Sequence, residues 1–386
     1  MPTLMQASNQ WASRPSDQRF VSLLDLDRKM RSLRDNSRSV TASTRRIEVQ
    51  PSSDDPRKGI VIHSDAGISV PTNWSFNQLS ALAGAPVSWL KKLPAPMVAD
   101  SLNYGLRFLR DAADVNLLAT TSSVPTIDDD LDLDGGPDVF NELRAATGPS
   151  YGRIWNSQLT GALVERFGDG LTGDFRVPGE FGKAVQVTKD NTTIYGSDRN
   201  VFVFLADEKN RIEMADRRDG KPGSLARGFF VWNSEVGSDV MGAAFFMFDY
   251  VCKNRIVWGA QGYKEIRLRH TRHAPDRWIE EIAPVLDAYA NEAAAPVEQI
   301  IAAAQRAKLD EDLDAFLKKR FTGAAAFSQN EIRAISDAHL REESRPIESL
   351  WDVTTGITAF AKTIPNNDDR VTIERRAGKI LDLVAA

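Results

Sequence analysis

Leu23, Leu26, Met30 and Leu33 recur at helical spacing with Arg28, Lys29, Arg31 and Arg34 between them, which predicts an amphipathic helix with a basic face. Pro51-Ser-Ser-Asp-Asp-Pro56 then reads as a turn-rich linker and Gly59-Ile-Val-Ile-His63 as a strand. Beyond it Phe76, Leu79, Leu82 and Ala83 return to helical spacing, with Ser75 as the expected N-cap and Gly84 as the stop. Residues 86–93 and 97–109 predict two further helices, and 157–167 another.

From residue 184 to 269 the pattern changes to short apolar runs, at 184–187, 201–205, 228–232, 242–248, 256–258 and 265–268, separated by Gly, Asn and Asp. Runs rich in β-branched and aromatic residues with such punctuation predict an antiparallel or mixed sheet. After Pro275 the helical period resumes in Trp278, Ile282, Leu286 and Tyr289 and continues to Leu381. The expected fold is therefore α+β: a central antiparallel or mixed sheet with an N-terminal helical module and an α-helical C-terminal region. The implied units are a polar basic N-terminal arm at 1–58, a strand plus small helical module at 59–118, an acidic loop insertion at 119–150, an α+β core at 151–280 and a helical region at 281–386.

A chain of 386 residues predicts about two to three domains. The apolar share of 42% and charged share of 26% are those of a folded, water-soluble protein rather than a disordered one. The single cysteine, Cys252, excludes an intramolecular disulfide and suits a reducing compartment. With no apolar run of membrane-spanning length, a cytoplasmic location is expected, inside a bacterial host cell, and no membrane partner.

Candidate catalytic chemistry is sparse. Asp130-x-Asp132-x-Asp134-Gly135 matches the first six positions of a calcium loop, but Pro137 and Asn141 break the remainder, so a solvated acidic loop is the simpler reading. His270-x-x-His273 lacks the further ligands that zinc requires unless Cys252 joins them, and Cys252 itself lies in an apolar run where a thiol is usually filler. Glu235, Asp239 and His270 make up the one conceivable acid, base or divalent-cation set. The sequence has no Gly-x-x-x-x-Gly-Lys-Ser/Thr phosphate loop and no Gly-x-Gly-x-x-Gly after a strand, so nucleotide hydrolysis and dinucleotide binding have no support. The expectation is that the chain is not an enzyme and carries no cofactor.

Charge is more informative. Between Lys209 and Trp278 stand thirteen basic side chains against eight acidic ones, inside a chain of net charge −5. Arg267 and Arg269 alternate with Ile266 and Leu268, so both guanidinium groups should emerge from one face of a strand. Lys253, Arg255, Lys264 and Arg272, with Trp258 and Tyr263 as stacking rings, complete a candidate nucleic-acid-binding set.

The blocks Asn233-Ser-Glu-Val-Gly237, Cys252-Lys-Asn254 and Arg267 to His273 resemble the phage- and plasmid-borne proteins grouped as domain of unknown function 932. The resemblance extends to 82–94, to Tyr151-Gly-Arg153 and to Trp11 through Phe20, covering about residues 8 to 280. The acidic insertion around Asp128 and Arg255, where relatives often carry Gly, depart from it. The resemblance implies a mobile-element setting and supplies no catalytic residues; Asn233, Ser234, Glu235, Gly237, Cys252 and Asn254 enter as a structural motif. The expected function is DNA recombination, replication or repair, by binding single-stranded DNA and annealing it as a homo-oligomer. The alternatives are a metal-dependent nuclease or hydrolase built on Glu235, Asp239 and His270, and a non-catalytic phage structural or host-interaction protein.

Overall fold

The computed structural model describes residues 15–52, 59–109, 111–124, 138–178, 186–190, 192–217, 221–249, 255–256, 266–291, 295–364 and 367–385. The acidic loop, Cys252, Lys253, Asn254, Trp258, Tyr263 and Lys264 lie outside these residues, as does the side chain of Arg255.

Two sheets form the body of the molecule. The first has six strands: β2 (Ser37–Ser43), β3 (Glu48–Pro51), β4 (Ile60–Ser64), β5 (Gly67–Pro71), β6 (Asp114–Val124) and β7 (Asp138–Thr147), in the order β2-β6-β7-β5-β4-β3. All neighbours are antiparallel except β5 and β7. Only the strand at residues 60–64 was expected here. Residues 15–52 are therefore integral to the fold, not an arm, and the boundary drawn at 118/119 falls inside β6.

Helix α1 (Leu23–Asp35) is capped by Ser22, whose hydroxyl accepts the Asp25 N–H. On one side of the first sheet lie α2 (Asn73–Ala83), α3 (Val87–Leu90) and α4 (Ala95–Tyr104), which bury Leu79, Ala83, Leu90 and Leu102 against Val115, Leu117 and Leu143. The cap of α2 is Thr72, not Ser75: the Thr72 hydroxyl accepts the Ser75 N–H, while the Ser75 hydroxyl donates to the Leu143 carbonyl at 2.5 Å. Gly84 ends α2 in the left-handed conformation that glycine adopts without steric cost.

The second sheet has nine strands. Its path runs from β1 (Arg19–Phe20) through β9 (Ile194–Gly196), β10 (Val201–Asp207), β12 (Lys221–Asn233) and β13 (Met241–Asp249) to β14 (Arg255–Ile256). Attached to it are β8 (Phe175–Arg176), β11 (Ile212–Arg217) and β15 (Ile266–Leu268). All its pairings are antiparallel, one of the two arrangements expected. One face packs Val203, Leu205, Phe229, Val231 and Phe245 against α1, α5 (Asn156–Phe167), α6 (Ala274–Glu281) and α7 (Ala283–Asn291). Farther along that face Ile212, Met214, Leu225 and Met247 meet the C-terminal helices α8 (Ala295–Arg306), α9 (Leu313–Arg320), α10 (Gln329–Glu343), α11 (Leu350–Ala361) and α12 (Asn367–Ala385). Between the two cores the buried Arg227 donates to Asp207 at 2.9 Å and stacks over Tyr289. The opposite face is a buried aromatic layer of Tyr195, Phe202, Phe204, Phe230, Trp232 and Phe246. Among the described residues no helix is long and apolar enough to cross a membrane.

Candidate nucleic-acid interface

The Asn-Ser-Glu-Val-Gly block begins at the last residue of β12 and is the joint between the two sheets. Asn233 donates through Nδ2 to the Ile154 carbonyl and to Asn156 Oδ1, both at 2.8 Å. Ser234 donates to the Arg199 carbonyl at 2.9 Å and its hydroxyl accepts the Ser238 N–H, closing a turn that places Gly237 at φ +81°. Glu235 is 1% exposed and uses both carboxylate oxygens: Oε1 accepts from Arg144 Nη2 at 2.5 Å, and Oε2 accepts the Asn156 N–H, at the start of α5, at 2.9 Å. Its own carbonyl accepts from Arg153. Val236 packs with Leu118 and Ala145 of the first sheet, and its carbonyl accepts from Trp74 Nε1 and Gln78 Nε2.

Arg144, on β7, is 1% exposed and reaches across the joint, also donating to the Asp198 carbonyl at 2.9 Å and, at 3.4 Å each, to the hydroxyls of Ser37 and Thr120. A buried charge pair holds only when its remaining donors and acceptors are met, as here. Ser234 and Ser238 close a local turn, but the main bonds of this block are long-range and hold the two sheets together.

Next to the joint runs a ladder of alternating rings and cations. His270 stacks on Tyr151 with ring centres 4.8 Å apart. Arg153 lies 5.5 Å from Tyr151 and 5.8 Å from Trp155, and Arg34 lies 5.5 Å from Trp155 as well. The Gly152 N–H donates to the His270 carbonyl at 3.1 Å, and His270 Nδ1 donates to the Gly152 carbonyl at 3.0 Å. His270 is thus half-buried in a joint, neither a free surface residue nor an open ligand. Burial, chiefly, also raises the Tyr151 phenol and lowers the Arg153 guanidinium from their ordinary values.

The same desolvation drops His270 from 6.5 to about 4; the Arg153 charge adds to this, and the Gly152 hydrogen bond opposes it. Burial raises Asp239 from 3.8 to about 6, opposed by the nearby Arg267 and by the Val240 N–H. The signs of the resulting pH dependences are opposite. Stability from neutral His270 is present above 6.5 and is lost as pH falls through about 4, whereas stability from protonated Asp239 is present below 3.8 and is lost as pH rises through about 6. Relative to wild type, Asp239→Asn should gain stability as pH rises through this window and His270→Gln should lose it. Each change is on the order of 2 kcal/mol. Chemical denaturation across that range reads both; parallel profiles for the two variants would contradict these environments.

Of the predicted phosphate-binding residues, Arg267 emerges from the edge strand β15 beside Asp239, and so meets an acid already. Arg269 and Arg272 are exposed and form no ion pair among the described residues. Four more of the thirteen cations are taken up by acids: Lys209 by Asp174, Arg211 by Glu208, Arg227 by Asp207 and Arg277 by Glu281. Glu235, Asp239 and His270 form no metal-binding group: among the described residues no three His, Cys, Asp or Glu side chains are placed to hold one ion.

Arg144, which pairs with Glu235 across the joint, was not anticipated from the sequence. Tyr151-Gly-Arg153 was visible only as a resemblance, and a buried arginine leaves no periodic signal.

Residues 183–370 match the family model described as a domain of unknown function (DUF932). No curated protein and no solved structure matches the chain. The matched span contains Asn233 through Gly237 and the Arg267 to His273 segment, and it runs on into the C-terminal helices. Arg144, Tyr151, Arg153 and Asn156, which engage its central block, precede it in the chain.

Proposed function

We propose that this chain, through its DUF932 domain, binds nucleic acid and acts on single-stranded DNA in recombination, replication or repair, annealing strands as a homo-oligomer in a phage or plasmid setting. The observation that carries the reading is the pair Arg269 and Arg272: exposed, without acidic partners among the described residues, following an edge strand, in a chain whose overall charge is −5. Cations left unpaired on a net acidic protein are available to phosphates, whose neutralisation releases counterions and drives binding. Annealing needs backbone contacts and stacking surfaces but no general base. The nuclease alternative loses its first ligand, since both Glu235 oxygens already accept from Arg144 and Asn156.

The double variant Arg269→Glu/Arg272→Glu tests the site. Fluorescence polarisation with a labelled oligo-dT should show binding at least about tenfold weaker at low salt and a shallower salt dependence, by roughly 0.7 for each phosphate that is no longer neutralised. Unchanged affinity in the double variant would remove these residues from the interface.

A further inference from the structure

The segment from Arg28 to Arg46 carries seven basic residues, Arg28, Lys29, Arg31, Arg34, Arg38, Arg45 and Arg46, against one acid, Asp35. Helix α1 turns Leu23, Leu26 and Met30 into the core beside Leu159 and Leu163 and leaves Arg28, Lys29, Arg31 and Arg34 in solvent. Three of the seven are neutralised: Arg28 by Asp25 at 3.0 Å, Arg31 by Asp27 at 2.6 Å and Arg46 by Asp65 at 2.7 Å. Lys29, Arg34 and Arg38 form no ion pair among the described residues. Arg38 lies on β2, an edge strand of the first sheet, beside the exposed hydroxyl residues Ser39 and Thr41.

Arg34 also ends the ladder. Its guanidinium lies over Trp155, and the row continues through Arg153 and Tyr151 to His270, which Arg269 and Arg272 flank in the chain. Arg34 thus stands at one end of this row, with Lys29 on the same helix and Arg38 on the strand that follows it, and Arg269 and Arg272 flank the other end in the chain; all five are exposed and without acidic partners among the described residues. A guanidinium set over an indole offers stacking and charge together, which fits an unpaired strand better than a duplex, where the bases are already stacked.

We propose that Lys29, Arg34 and Arg38 form a second phosphate-binding stretch, so that a single nucleic-acid strand follows the ladder from the segment after β15 to α1 and β2. The inference rests on the nucleic-acid reading above and extends its site to elements that precede the DUF932 match.

The test is the triple variant Lys29→Glu/Arg34→Glu/Arg38→Glu, compared with a control of equal charge change, Lys308→Glu/Lys318→Glu/Lys319→Glu, on the exposed side chains of the C-terminal region. With a labelled oligo-dT of about 30 nucleotides, the triple variant should bind at least about tenfold more weakly than wild type, and its salt slope should shrink by about 2, at roughly 0.7 per phosphate on a single strand. The control should bind like wild type. Equal affinity and slope in the triple variant and wild type would overturn the inference and leave the Arg269 and Arg272 site standing. An equal fall in affinity for the control would overturn it as well, by reducing the effect to net charge. Absence of binding by wild type itself would overturn both readings.

Discussion

Glu235→Ala is expected to destabilise the protein by about 3–5 kcal/mol, the cost of leaving a buried charge without its partner. Arg144 is 1% exposed and Glu235 is the carboxylate to which it donates; its other acceptors are the Asp198 carbonyl and two hydroxyls at 3.4 Å. The substitution also strands the Asn156 N–H at the first turn of α5, where the carboxylate accepts it. Because Arg144 belongs to the first sheet and Glu235 follows β12 of the second, the effect should appear as loosening of one sheet from the other. Urea denaturation should show the midpoint falling well before any change in the C-terminal helices. Removing both charges with Arg144→Leu/Glu235→Leu should recover part of the stability, since no buried charge then remains unpaired. A destabilisation below about 1 kcal/mol for Glu235→Ala would mean that the pair does not hold the joint.

Gly152→Ala should cost about 3 kcal/mol, the upper end for forcing atoms into a packed site. A β-carbon there would overlap the Thr271 carbonyl oxygen and come within 2.9 Å of Pro275 Cδ. Neither neighbour is a side chain that can swing away: one is backbone and the other a proline ring at the start of α6. The two segments are also tied by both hydrogen bonds between Gly152 and His270, so relief requires breaking the pairing that stacks His270 on Tyr151. Arg269 and Arg272 are attached to the displaced segment, and binding to single-stranded DNA should weaken together with thermal stability. Full stability and an unshifted His270 resonance by NMR would contradict the close approach.

Five strands of the second sheet, β10 and β12 to β15, and the C-terminal helices were legible because their apolar residues repeat with a period; β1, β8, β9 and β11 were not, and residues 186–187, expected in a strand, are in none. Val201, Val203 and Leu205 alternate with side chains of the opposite face, and Ile332 and Ile335 mark one side of α10. Of the first sheet only β4 was legible. In β2 the sequence Ser-Arg-Ser-Val-Thr-Ala-Ser places small hydroxyls on one face and only Val40 and Ala42 on the other, beside Arg38, which is too weak an alternation to distinguish a strand from a polar arm. The cap of α2 was misplaced because Thr72 and Ser75 are both competent and only the backbone decides between them. At the candidate site the exposed position of Arg269 was readable from alternation with Leu268. The commitment of Arg267 to the surroundings of Asp239 was not, nor was the Arg144 to Glu235 bond across 91 residues, because both arise from the packing of segments distant in the chain.

The joint, the ladder beside it and the exposed cations make up the surface proposed to hold a single strand by its phosphates. The measurement that bears on this most directly is the affinity of wild-type protein for labelled single-stranded DNA as a function of salt. Five phosphates neutralised, by Lys29, Arg34, Arg38, Arg269 and Arg272, predict tight binding at low salt and a slope of log K against log salt of roughly −3 to −4. Binding that does not change with salt, or none at the lowest salt used, would contradict the account.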